Sequence, residues 1–373
     1  MTWLELCFDL VFVAAVSQVG APLGVDYSLP ALGRFTLLFV LIWWAWHGHA
    51  SYSTRFDRDD ALQRWLTLLQ MFAVAVMAVN AKDSLGSRDS AGFAAAYALM
   101  RLVLVAQYLH ARQLPEARRF ATVHVLGVGA AATVWLVSAL TPAPARFWLW
   151  GFALLVDLVT PMASTRHTVD APPDAAHLPE RFGLFTIILI GDAMVGVMRG
   201  MESQSSWPLD AFLAALLGMI LVFLIWWWYF DASGATEHRL VATREDAARL
   251  HIWTYAHVPL YLGIVVLGVG IHHTIAVAAT GHLHAAESWI LCAAAATVTA
   301  SLAWIAARGR ALPYLLSAAA LVLGPAGPSM PCSVLLALLT GLMAAAMRTT
   351  APHSAGRLLA ANARNEAMAS ASN

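Results

Sequence analysis

An all-α protein that crosses a membrane about twelve times is what this sequence predicts. Three observations carry that prediction. Only 12% of the 373 residues are charged while 60% are hydrophobic, and the mean hydropathy is +0.67; a soluble domain of this length needs far more charge to cover its surface. The apolar runs are continuous and approach the ~20 residues that carry a helix across ~30 Å of hydrocarbon, whereas a β-barrel would show alternating segments of about ten. Basic residues are also partitioned unevenly between alternate connections, as the positive-inside rule requires.

Taken in order, the spans are expected at about 3–20, 31–51, 62–81, 92–111, 120–140, 146–164, 182–199, 209–230, 252–277, 286–306, 311–324 and 331–347. The eleventh is the weakest, being short and followed by the loop GPAGPSMP, so eleven crossings or a re-entrant segment stay open there. Of the 22 Lys and Arg, sixteen fall after even-numbered spans or in the C-terminal tail, five after odd-numbered spans, and Arg101 within a span. That bias predicts a multi-pass chain with both termini in the cytoplasm. A first helix interrupted by Glu5 and Asp9, with no basic segment ahead of it, is not expected to be cleaved as a signal peptide. Cys7, Cys292 and Cys332 lie far apart in apolar stretches and make no disulfide framework. The domain organisation expected is one transmembrane domain, 1–348, followed by a flexible cytoplasmic tail, 349–373.

A faint internal repeat divides that domain into halves, 1–165 and 177–348. Glu5 opens the first span and Glu180 the seventh. Trp43-Trp44-Ala45-Trp46 in the second span is matched by Trp226-Trp227-Trp228-Tyr229 in the eighth, and Arg64-Trp65 ahead of the third by Arg249-Leu250 ahead of the ninth. Two six-helix halves of this kind would be parallel repeats about an axis along the membrane normal.

The intramembrane acids are the first candidates for chemistry. Glu5 and Asp9 stand at i and i+4 and so share a helix face. A mid-membrane Asp costs roughly 2.5–3.5 kcal/mol on insertion scales, so it needs a reason to be there. The pair reads either as a proton or cation site or as an interfacial Glu with an Asp bonded to a neighbouring helix. Asp192 in the seventh span reads as a partner for Asp9 across the interface between halves, or as a buried Asp held by a Ser, Thr or Trp; Glu180, twelve residues earlier, is not on its face. Arg101 in the fourth span needs a carboxylate, with Asp9 or Asp157 of the sixth span as candidates, and a structural pair is the favoured reading. After the second span, Arg55, Asp57, Arg58, Asp59 and Asp60 form a dense charge run, read as a solvated face or as a cytoplasmic gate. The tryptophans of the second and eighth spans read as an interfacial belt. His257, Tyr255 and Gln70 read as polar bridges between helices.

Several classes are set aside. His272, His273, His282 and His284 flank one external connection without the spacing of a standard metal site, so no metal is predicted. No HExxH, GxSxG, P-loop or strand-borne dinucleotide fingerprint occurs, so neither an enzyme nor a cofactor is expected. A net charge of zero argues against nucleic acid. The partners expected are the lipid bilayer and a small ion or solute, and a homo-oligomer is compatible with the sequence.

Four stretches carry a resemblance: WLELCFDLVFVAAVSQV from Trp3, WWAWHGHASYSTRFDRDD from Trp43, TLLQMFAVAVMAV over 67–79 and HLPERFGLFTIILIGDA from His177. In this order they resemble the bacterial low temperature requirement protein A (LtrA) family, across most of the chain and fading after about residue 275. Cys7 stands where the family usually has an aromatic, and Asp192 where it usually has Glu. The resemblance implies a polytopic inner-membrane protein linked by name to growth in the cold, without supplying a reaction. Phe8-Asp9-Leu10-Val11-Phe12 is also similar to the first-helix motif of two-repeat, twelve-helix potassium channels. The function expected is therefore transporter-like, with Glu5, Asp9 and Asp192 as a proton- or cation-linked site; the alternatives are an ion channel, or a membrane enzyme or assembly factor acting on lipid or quinone.

Overall fold

The computed structural model describes residues 2–56, 60–81, 84–85, 90–204, 208–232, 240–279, 281–306 and 310–350, and among these there are helices and turns but no strand. Twelve α-helices follow one another: α1 (Trp3–Val25), α2 (Leu29–Ser53), α3 (Ala61–Asn80), α4 (Ser90–Ala111), α5 (Arg118–Leu140), α6 (Ala145–Ser164), α7 (His177–Glu202), α8 (Leu209–Ala232), α9 (Arg244–Val277), α10 (Ala285–Ala306), α11 (Leu312–Val322) and α12 (Cys332–Thr350). Eleven are long and apolar enough to cross a bilayer; α11 is the exception. Its eleven residues rise about 16 Å, but the 3-10 turn Gly324–Ser329 continues its path. Arg310 before α11 reaches Thr349 at the end of α12. Ser317 donates to the Ala296 carbonyl midway along α10, Ser288 near the start of α10 donates to Gly324, and Met330 lies against His282. The segment thus runs the full length of α10 in the opposite sense, and the start of α1 and the end of α12 lie at one end of the bundle.

Local sequence explains where the helices begin. Thr2 and Glu5 form a reciprocal capping box on α1, and Thr243 with Asp246 does the same for α9. The seventh helix starts five residues earlier than its apolar run suggests, because Asp174 accepts from the backbone N–H groups of Ala176 and His177. That extension takes His177 and Arg181 out of the loop and into the helix.

Most of one neighbour order occurs twice, the exception being α8, which packs broadly on α12 where α2 makes no comparable contact with α6. In the first six helices α1 packs on α2 and α3, α3 on α4, α4 on α5 and α5 on α6; in the second six α7 packs on α8 and α9, α9 on α10, α10 on α11 and α11 on α12. The two sets meet chiefly where α1 and α2 pack on α7 and α9. Helices α7 and α9 approach to backbone distance: a Cβ placed on Gly268 would come 2.9 Å from the Ala193 Cα, and one on Gly196 would come 2.9 Å from the Gly268 carbonyl oxygen.

The second helix is enclosed over its second half, from Leu38 to Ser53. Trp43, Trp44 and Trp46 are buried in protein rather than spread at a lipid interface, which corrects the belt reading for this helix. Its neighbours are α1, α4, α7 and α9, and its exposed residues are confined to the first half, at Leu29, Pro30, Gly33, Arg34 and Leu37. In α8, Trp226 and Trp227 do face outward while Trp228 is buried. The charge run after α2 is only partly described: Asp57 and Asp59 lie outside the described residues, as does the tail from residue 351 onward.

Candidate functional site

Helices α1 and α7 start at the same end of the bundle and carry matching pairs at i and i+4: Glu5 and Asp9 on one, His177 and Arg181 on the other. Because the helices run in parallel, the pairs meet as two rungs of the same offset. His177 Nε2 lies 3.0 Å from Glu5 Oε2, and Arg181 Nη2 donates to Asp9 Oδ1. Arg181 Nη1 cross-braces the ladder, 3.3 Å from Glu5 Oε1, and donates to Ser53 Oγ of α2 at 2.7 Å.

Surrounding rings close the ladder in. Trp46 donates its indole N–H to Asp9 Oδ1 at 2.7 Å and packs on Phe185 and Phe182 at 4.3 and 5.1 Å between centroids. Phe8 stacks on His49 at 3.8 Å, and the Arg181 guanidinium lies 6.0 Å from the Phe8 ring. Asp9 and Arg181 are 0% exposed, whereas the His177 side chain keeps 13% and Glu5 8%, so the outer rung faces the bundle end and the inner rung is sealed. Asp9 Oδ2 has no hydrogen-bond partner among the described residues. Buried ions are retained only when paired and hydrogen-bonded, and this ladder meets most of that requirement from side chains of three helices.

The other expected residues take separate places. Asp192 accepts from Ser17 Oγ at 2.9 Å, eight residues beyond Asp9 along α1 and about 12 Å away along its axis. Glu180 itself points outward and is exposed, while its neighbour Arg181 turns in. Arg101 and Asp157 pair with each other, Nε to Oδ2 at 3.0 Å and both buried, and the Arg101 Nη2 also donates to Tyr97 at 2.6 Å. Arg55 folds back to donate to the Ser51 and Ala171 carbonyls and lies 4.9 Å from the Phe120 centroid; Asp60 caps α3 through the Gln63 N–H.

Polar bridges between helices appear at the three positions expected of them. His257 Nε2 is 3.1 Å from Tyr229 Oη of α8, Tyr255 reaches the Leu158 carbonyl of α6, and Gln70 donates to Gln107 of α4. At the opposite end of the bundle His273 and His284 both meet Glu287, at 3.0 and 3.2 Å. Among the described residues no group of three or more His, Cys, Asp or Glu is gathered tightly enough to hold a metal ion.

Arg181 and His177 are the residues that sequence reasoning missed, both counted with the loop ahead of the seventh span. A signal was present: their i, i+4 spacing at the head of a helix is the spacing of Glu5 and Asp9, with side chains that can donate where those accept.

Comparison with known proteins agrees with this arrangement of motifs. A protein of Rhizobium meliloti (strain 1021), RA0937, is 28% identical over 282 residues, covering 71% of this chain and 67% of that protein. The family described as bacterial low temperature requirement A protein (LtrA) matches residues 1–348, which takes in all twelve helices up to the last turn of α12. The chain belongs to the bacterial low temperature requirement protein A family.

Proposed function

We propose that this protein is a transporter-like membrane protein, not an enzyme, in which the ladder between α1 and α7 is a proton- or cation-linked site. One observation supports this reading above the rest: the ladder is one positive charge short. Glu5 and Asp9 bring two carboxylates against the single guanidinium of Arg181, with the His177 imidazole as the fourth member. A proton or small cation taken up there completes the balance, and its departure leaves an excess carboxylate between two packed sets of helices. Such an imbalance biases how the sets sit against each other, which is what coupling a gradient to a movement requires. The positive-inside bias supports an inner-membrane location with both ends of the described chain in the cytoplasm. A role in low-temperature growth would then follow from ion or membrane homeostasis.

The test is reconstitution of the full chain into liposomes, with internal pH followed by a trapped dye under imposed proton and potassium gradients. Wild type is expected to dissipate the proton gradient in a saturable way, and Asp9→Asn to lose at least about tenfold of that rate, the span that one charge-assisted contact supports. Unchanged flux in a folded Asp9→Asn protein removes the carboxylate from the mechanism. The repeated neighbour order favours a second reading, an ion channel of two six-helix repeats; conductance that rises with potassium concentration without saturating selects it.

A further inference from the structure

Asp9 keeps one carboxylate oxygen, Oδ2, without a hydrogen-bond partner among the described residues, and the same holds for His49 Nδ1, Gln70 Oε1 and Gln107 Nε2. The four groups come from four successive helices, α1 to α4, and all four residues are buried. They form one polar layer. Phe8, beside Asp9 in the chain, stacks on His49 at 3.8 Å, His49 lies next to Gln70, and Gln70 donates to Gln107 at 3.3 Å. Gln107 in turn lines a cleft of about 280 Å³ between α3 and α4, with Asp60, Gln63 and Gln113 at its polar mouth. Asp60 and Gln113 are exposed, at the end of the bundle where α3 begins and α4 ends. The layer therefore leads from the sealed inner rung of the ladder to a cleft that is open to solvent.

Packing alone does not account for such a layer. Each unfilled buried donor or acceptor costs roughly 1–3 kcal/mol, and an apolar side chain of the same shape at position 70 or 107 would avoid that cost. What the residues share is the capacity to hold water. A glutamine amide both donates and accepts, and each of these two spends only part of that capacity on the other. A water molecule takes up about 30 Å³ of the liquid, so the cleft admits several. An imidazole takes a proton on one ring nitrogen and releases one from the other. We propose that His49, Gln70 and Gln107 form a hydrated proton route between the cleft and Asp9. The amides hold water in line without carrying the proton themselves. His49 accepts a proton from that water on one nitrogen and gives one from the other toward Asp9 Oδ2, and the return transfer reverses both steps. The ladder thereby exchanges a proton with solvent while Arg181 keeps its contacts. This inference rests on reading the ladder as a proton-linked site and supplies that site with its path.

Hydration can be read without a gradient, so the route and the transport reading can fail separately. Hydroxyl radicals generated by an X-ray pulse in the full chain, held in detergent, oxidise side chains that lie against water. Phe8, fully buried on His49, is expected to be labelled several-fold faster than Phe39, which is equally buried. Gln107→Leu keeps the bulk and removes the amide. It should bring Phe8 down to the rate of Phe39 and lower proton flux in liposomes at least about tenfold, the scale of one lost hydrogen bond. Gln107→Glu, which still holds water, should retain both the label and most of the flux. Ala106→Phe, which fills the cleft without touching either amide, should slow the flux as well and guards against a Gln107 variant that does not fold. The route is overturned if Phe8 in wild type is labelled no faster than Phe39, or if flux is unchanged in folded Gln107→Leu and Ala106→Phe proteins; wild-type proton flux would then leave the ladder reading standing. Absence of proton flux in wild type sinks the ladder reading, and the proton role of the layer with it, whatever the label on Phe8.

Discussion

Arg181 serves two carboxylates and a hydroxyl from a position with no solvent exposure, and that makes it the least replaceable residue of the ladder. Removing one partner of a buried pair costs roughly 3–5 kcal/mol because the other is left uncompensated. Arg181→Gln strands Asp9 and leaves Glu5 with only His177 and Thr2, whereas Asp9→Asn leaves Arg181 with Glu5 and keeps an acceptor for Trp46. Chemical denaturation in detergent should therefore show Arg181→Gln losing roughly 3–5 kcal/mol and Asp9→Asn well under half of that. The double variant should be more stable than Arg181→Gln alone, since one stranded carboxylate has gone. Equal losses for the two single variants would mean that Arg181 does not hold Glu5. At this scale the acids were legible, because an intramembrane carboxylate stands out in any apolar run. Their counterion was not: charge pairing joins positions 172 residues apart, and a hydropathy window assigns an arginine beside a Glu and a Pro to the loop.

At the scale of elements, the close crossing of α7 on α9 fixes the packing within the second set of helices. Gly268 faces backbone atoms of Ala193, so a larger side chain there forces the helices apart. Gly268→Val should cost roughly 1–3 kcal/mol as an overpacked contact. Gly151 has nothing within 4 Å of its Cβ position, and Gly151→Ala in the middle of α6 should be neutral or stabilising by about 0.4–1 kcal/mol through the unfolded chain. A thermal-melt comparison in detergent that ranked the two the other way would refute the crossing. The eleventh helix belongs to this scale too. Its brevity was visible in the sequence, as was the Gly- and Pro-rich stretch after it. That the stretch winds into a 3-10 turn and completes the path beside α10 depends on bonds from Ser317 and Ser288, and those exist only once α10 is alongside.

For the molecule as a whole, the bundle places Thr2, Leu240 and Thr350 at one end and Asp26 at the other, by the alternation of twelve antiparallel passages. Single cysteines introduced at Leu240 and Thr350 should react with a membrane-impermeant thiol reagent only in inverted vesicles, and one at Asp26 only in cells with a permeabilised outer envelope. Opposite behaviour of the first two would break the even number of crossings. The two sets of six share most of their order of neighbours but not their contents. Helices α4, α5 and α6 enclose the Arg101–Asp157 pair and a polar cavity, while α10 is lined with buried Ala, Leu and Ile.

The sequence by itself determined the class of molecule: helical, membrane-spanning, of the LtrA family, with acids on one face of the first helix. Composition and hydropathy act residue by residue, and the bilayer imposes its length on each run separately, so such properties need no partner to be read. Only the tertiary structure decided which charges meet. It joined Glu5 and Asp9 to His177 and Arg181, gave Arg101 to Asp157 rather than to Asp9, sent Asp192 to Ser17, and turned the tryptophans of α2 inward. An ion pair in a low-dielectric interior is set by distance and angle to within an ångström or so, and those are fixed by helix packing rather than by any local run of residues.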